Sequence, residues 1–207
     1  MKRSLFFLLP LLTALAVAMQ NTPSQMNPAV PTVSFDCLWE AATPQEYTVT
    51  TKSDGSSTYL SRNPVAPKDP NVVQDPDYQF EFTMSPANSK KIFKLAEQAH
   101  FFNGNFEFTK HVMANTGKKT LTYSDPARHY QTVYNYSENK AIQELTSLFQ
   151  GISLTLEHGR KLQFKHKYDK LGLEQELKAT EDEAQNRNLA ELQLITPVLK
   201  SIADDPS

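Results

Sequence analysis

The sequence predicts an α+β fold: an antiparallel sheet of about five to six strands with helices on one face, followed by a C-terminal helical extension. Three observations carry this reading. Short period-two segments recur, the clearest being Tyr78, Phe80, Phe82 and Met84 alternating with Gln79, Glu81 and Thr83. Ser53-Asp54-Gly55 supplies turn chemistry between two β-rich runs, a hairpin signal. Apolar residues then recur at helical spacing, as in Ile142, Leu145, Leu148, Phe149, Ile152 and Leu156.

The elements follow in order. Lys2 and Arg3 precede an apolar run from Leu5 to Val17, which ends in Ala16-Val17-Ala18. A positive start, a short apolar stretch and a small-residue exit are the parts of a secretory signal peptide. Residues 1–18 are therefore expected to be removed, giving a periplasmic or extracellular chain that begins at Met19. Residues 19–31 are polar and carry Pro23, Pro28 and Pro31, which suits a flexible mature N-terminus. The first strand is expected over Val33 to Glu40, with Val33, Phe35, Cys37 and Trp39 on its apolar face. Tyr47 to Lys52 and Ser57 to Arg62 form the hairpin. Asn63 to Asp77 holds four prolines and reads as a long exposed loop.

After the strand at Tyr78, Ser85-Pro86 signals a helix start. Serine can accept a first-turn N–H, and proline fits the first helical position because it has none to offer. Ile92, Leu95, Ala96, Ala99 and Phe102 give this helix its apolar stripe, and Asn103-Gly104 is its expected stop. Asn105 to Gly117 has no clear period. Lys118 to Tyr123 and His129 to Tyr136 read as two further strands about the turn Ser124-Asp125-Pro126. Ser137 is the expected cap of the next helix. An unbroken helix from Glu138 to Thr180 would be ~60 Å long, so a break at Gly151, Gly159 or Gly172 is expected. Leu154, Leu156, Leu162 and Phe164 also alternate around His158-Gly159, and a β-hairpin there is the alternative. Leu189, Leu192, Ile195, Leu199 and Ile202 form a last amphipathic helix, with a kink expected at Pro197. The domain plan is thus a signal peptide at 1–18, a tail at 19–31, an α+β domain at 32–157 and a helical extension at 158–207.

Tyr47-Thr48-Val49-Thr50 with Asp54-Gly55 and Tyr59 resembles the start of an uncharacterised domain family of secreted bacterial proteins. The ensuing order of strand, helix ending in Phe101-Phe102, two strands and short helix does the same, over about residues 46–152. The resemblance implies the α+β fold and export, and it implies no chemistry.

Charge and composition narrow the function. The chain has 207 residues and a formal charge of −2, which becomes −4 once Lys2 and Arg3 are removed. That balance argues against a nucleic-acid partner, which calls for a strongly basic face. Cys37 is the sole cysteine, so no intrachain disulfide forms, and the period places it as a small buried hydrophobe.

No metal site and no cofactor loop is readable. None of His100, His111, His129, His158 and His166 forms an i,i+4 pair, and there is no G-x-S-x-G or Walker pattern. His100 is expected to favour a helix end through the dipole. Ser137-Glu138-Asn139-Lys140 matches S-x-x-K, and Ser124, Asp125 and His129 surround one turn. Both sets have adequate structural roles as cap and turn, so no catalytic residue is assigned.

The best candidate binding feature is the basic run of Arg160, Lys161, Lys165, Lys167 and Lys170, with Phe164 and Tyr168 interleaved. It would meet an anionic surface such as lipid head groups. The expectation is a secreted interaction or scaffold protein of the cell envelope, with a protein partner or a second copy met through the C-terminal helices. The alternatives are an envelope serine hydrolase and a binder of anionic surfaces through residues 160–170.

Overall fold

The computed structural model describes residues 30–65 and 74–205; the expected signal peptide and most of the N-terminal tail lie outside them. Six strands, β1 (Thr32–Leu38), β2 (Glu46–Lys52), β3 (Ser56–Arg62), β4 (Tyr78–Thr83), β5 (Lys118–Ser124) and β6 (His129–Tyr134), form one sheet. Its order is β4-β3-β2-β1-β5-β6, with every neighbouring pair antiparallel. The chain is α+β, as its patterning predicts. Asp54-Gly55 makes the β2–β3 turn: Asp54 Oδ1 accepts from the Ser56 amide at 2.9 Å, and Gly55 takes φ +89°. That φ favours glycine because it has no Cβ to clash.

Strand alternation sorts the two faces of the sheet. Val33, Phe35, Val49, Tyr59 and Leu121 are fully buried under the helices. The opposite face carries Ser34, Asp36, Thr48 and Thr50, whose polar atoms bond one another; Thr48 Oγ1 donates to Asp36 Oδ1 at 2.6 Å.

Helix α1 (Pro86–Gln98) starts as expected, with the Ser85 side chain accepting from the Asn88 amide. It stops earlier than Asn103-Gly104. A 3-10 turn at His100–Phe102 follows, with positive φ at all three residues. That turn drives Phe102 wholly into the core and lays Phe101 against the Arg128 guanidinium, 3.8 Å from its ring centre. Burial of two aromatics outweighs the backbone strain. His100 lies in this turn and not at a helix end. Residues 105–117 form neither helix nor strand.

Helix α2 (Lys140–Tyr168) is capped by Asn139, which accepts from the Ala141 and Ile142 amides; Ser137 instead accepts from the Asn139 amide. The helix runs 29 residues, about 43 Å, through Gly151 and Gly159 without a break. The hairpin alternative at 152–168 is therefore not realised. Both glycines serve close packing. A Cβ at Gly151 would sit 2.8 Å from the Asn188 carbonyl oxygen, and one at Gly159 would sit 2.5 Å from Ile195 Cγ2. The chain turns at Asp169, not Gly172, and α3 (Lys170–Gln185) returns along α2.

The last segment also differs from the expected kinked helix. A 3-10 turn at Leu192–Ile195 leads into α4 (Thr196–Asp204), where Pro197 lies in the first turn and costs no hydrogen bond. Ile195 is buried on α2, so this segment packs back on its own fold. Among the described residues no helix is long and apolar enough to cross a membrane.

Candidate functional site

Three rungs of side chains cross the helix-covered face of the sheet. The rung at the β1 C-terminal end runs Tyr78, Ser61, Tyr47, Cys37, Lys119, Tyr134. Every member carries a heteroatom, whereas the next rung inward is mostly apolar, with Phe80, Tyr59, Val49, Phe35 and Leu121 in line. The rung at the other end is mixed, with Phe82 and Val33 among Ser57, Thr51, Tyr123 and Tyr130, so the β1 C-terminal end is the fully polar one.

Each polar atom there has a local reason. Lys119 is 3% exposed, and its Nζ donates to the Thr116, Gly117 and Asn135 carbonyls at 2.9–3.2 Å. Burial lowers its pKa, opposed by Cys37 and Glu107. Burial pushes the Cys37 thiol up more strongly than Tyr47 and Lys119 pull it down, so the thiol stays protonated and is a poor nucleophile. Tyr47 and Tyr59 are raised well above the ordinary phenol value, first by burial.

Helix α2 faces this end with Gln150, Ser153, Leu154, Glu157, His158 and Lys161, a single stripe at 3–4 residue spacing. Glu157 is 3% exposed and fully engaged. Its Oε1 accepts from Tyr59 at 2.8 Å and Ser61 at 2.7 Å, and its Oε2 pairs with Arg160 at 2.8 Å. Ser153 Oγ lies 2.9 Å from the Tyr59 hydroxyl. Arg160 also reaches Asp75 at 3.0 Å. His158 is almost as buried; its Nδ1 lies 2.8 Å from Glu176 and 3.2 Å from Thr180 Oγ1, which joins α2 to α3. Nε2 makes no hydrogen bond among the described residues.

Between the polar rung, the stripe on α2 and the loop 39–45 lies a cavity of about 490 Å³. Trp39, Pro44, Tyr47 and Leu154 give it apolar walls. Glu157, His158, Lys161 and, from α3, Glu183 give it polar groups. The loop is braced: the Trp39 amide donates to the Gln45 carbonyl at 2.7 Å, and Gln45 bonds the Val65 backbone in both directions. Gly117 lets Trp39 approach, since a Cβ there would sit 2.7 Å from Trp39 Cβ. A groove of about 710 Å³ between α3 and α4 is larger but offers mainly an apolar floor and exposed charges at its rim.

The residues singled out from sequence are placed as follows. Ser137 is buried and accepts from the Asn139 amide, while Lys140 is exposed and forms no hydrogen bond with the serine. Ser124 Oγ does lie 3.2 Å from His129 Nδ1. Asp125 turns away to Arg128, Tyr123 and the Ala127 amide, so no carboxylate orients that histidine. The basic run is dispersed. Arg160 faces Glu157 and Asp75, Lys165 donates to the Gly172 carbonyl, and Lys170 pairs with Asp205. Lys167 lies over the Tyr168 ring, and Lys161 lines the cavity. Among the described residues no three His, Cys, Asp or Glu side chains are arranged to hold a metal ion.

Sequence reasoning passed over Glu157, His158 and Trp39. The available signal was the row of polar residues at the ends of otherwise apolar strand faces, which means little until strand register aligns them. No family model matches the chain, and no curated protein matches it in sequence.

Proposed function

We propose that this chain is an exported interaction protein of the cell envelope that takes a small ligand into the cavity at the polar end of its sheet, and binds it without transforming it. The carrying observation is the cavity itself: about 490 Å³, with aromatic and apolar walls and a few buried polar groups. Those are the usual size and lining of a small-molecule site. The polar groups behave as binding elements. Glu157 is neutralised by Arg160, and the Cys37 thiol is held protonated by burial. Export rests on Met1 to Ala18, and N-terminal sequencing of the envelope fraction should read from Met19.

The test exploits Trp39, the sole tryptophan, which forms one cavity wall. Titration of the mature protein with 1-anilinonaphthalene-8-sulfonate should give one saturable site with energy transfer from Trp39 and unchanged circular dichroism. Ala42→Phe, which adds a large side chain to the cavity lining from the loop, should abolish that site. Absence of saturable binding, or binding indifferent to Ala42→Phe, would overturn the reading.

A further inference from the structure

Two charged side chains in this cavity stand apart from the rest. Lys161 on α2 and Glu183 on α3 both line it and are both half-buried. They form no ion pair with each other. Lys161 makes no hydrogen bond or ion pair with any described residue, and Glu183 is bound only by the Asn188 side chain, at 2.7 Å. Other polar groups nearby have partners: Glu157 pairs with Arg160, Glu176 lies in hydrogen-bond reach of His158, and Lys119 has its carbonyl cage. A half-buried charge without a partner is unfavourable, and side chains this long pair readily when geometry allows. Two opposite charges that line one cavity beside an apolar wall, neither with an ion-pair partner among the described residues, match a ligand that supplies the complementary charges.

We infer that the cavity binds a small zwitterion with an apolar body, in the size range of an amino acid to a dipeptide: its carboxylate meets Lys161, its ammonium meets Glu183, and its side chain lies against Trp39 and Pro44. The inference rests on the reading of this cavity as a binding site. His158, whose Nδ1 lies 2.8 Å from Glu176, is a further polar residue lining the same cavity.

The experiment is a Trp39 fluorescence titration of the mature protein with L-phenylalanine, N-acetyl-L-phenylalanine, L-phenylalaninamide and glycyl-L-phenylalanine. L-Phenylalanine or the dipeptide should give a saturable change. Removing either ligand charge should weaken binding about 10-fold or more, the scale of one charged hydrogen bond. Whichever zwitterion binds more tightly identifies the ligand as free amino acid or peptide. Lys161→Met should erase the preference over the amide alone, and Glu183→Gln the preference over the N-acetyl compound alone. Both positions are partly exposed on helices, so circular dichroism should be unchanged. Equal affinity for charged and blocked ligands, or preferences unmoved by the two variants, would overturn the inference. If neither zwitterion binds while the naphthalene dye still occupies the cavity, the zwitterion inference fails and the cavity reading stands.

Discussion

Replacing Arg160 by alanine removes the one cation that pairs, among the described residues, with the buried carboxylate of Glu157. Tyr59 and Ser61 would still donate to Oε1, but Oε2 would lose its partner, whose Nη2 lies 2.8 Å away. Stripping one member from a fully buried pair costs about 3–5 kcal/mol. The Arg160 side chain is 18% exposed, so water can reach part of the vacated space, and about 2–3 kcal/mol is the expected loss. For a chain of this size that lowers Tm by about 5–10 °C. Glu157→Gln removes the charge at the other end and leaves the Tyr59 and Ser61 bonds a carbonyl acceptor. The double variant should therefore be less destabilised than the sum of the two, by about 1–2 kcal/mol. Urea unfolding followed by circular dichroism and Trp39 fluorescence measures all three. A loss below about 0.5 kcal/mol for Arg160→Ala, or strict additivity, would refute the view that the Arg160 charge compensates Glu157.

Other positions give sharp tests by the same denaturation measurements. Gly151→Ala should destabilise by about 1–3 kcal/mol despite alanine's higher helix propensity, because the new Cβ meets the Asn188 backbone oxygen and not a yielding side chain. Glu191→Ala should cost about 2–3 kcal/mol, since Glu191 is 5% exposed and accepts from Ser85 N, Ser85 Oγ and Asn88 Nδ2 at the start of α1. Burial raises the Asp125 pKa, but hydrogen bonds from Arg128, the Ala127 amide and Tyr123 outweigh it and bring the carboxyl down to about 2. Its folded value thus lies below the unfolded value of about 3.9, so its contribution is present above about pH 4 and is lost as pH falls toward 2. Thermal melts across that range should fall less steeply in Asp125→Asn than in the parent chain.

What the sequence discloses is local. The strand at Tyr78 shows because alternate residues need opposite solvents, and the start of α1 shows because Ser85 and Pro86 act within one turn. The β2–β3 hairpin shows because Gly55 is needed at a positive φ within four residues of both strands. The features that escape are set by partners far along the chain. Gly151 and Gly159 look like helix breakers until residues 188–195 are laid against them. Glu191 is one more acid in a charged tail until it meets the N-terminus of α1, 106 residues away. Arg160 looks like part of a basic face until Asp75 and Glu157 are brought beside it.

The cavity escapes for the same reason, and its origin explains why the fold tolerates it. A sheet that packs helices along its whole length would have apolar residues in every inward rung. Here the outer rung is polar throughout, so α2 cannot seal against it with aliphatic side chains alone. The fold meets that in two ways. Toward β3 and β4 it satisfies the polar atoms internally, with Glu157 receiving Tyr59 and Ser61 and Arg160 lying 5.6 Å from the Tyr78 ring. Toward β1 it leaves space, bounded by the loop that carries Trp39. Buried polar groups are tolerated only when bonded, and Lys119 obtains its bonds from residues 116, 117 and 135. Lys161 obtains none from the described residues, although the stripe that places it also places Glu157 and His158, which are both satisfied. The contrast lies within one helical face, so helix geometry is common to all three positions and only the surroundings differ. All three line the cavity, but Lys161 alone of them has no partner among the described residues, and that is the property expected of a residue whose partner comes from outside the chain.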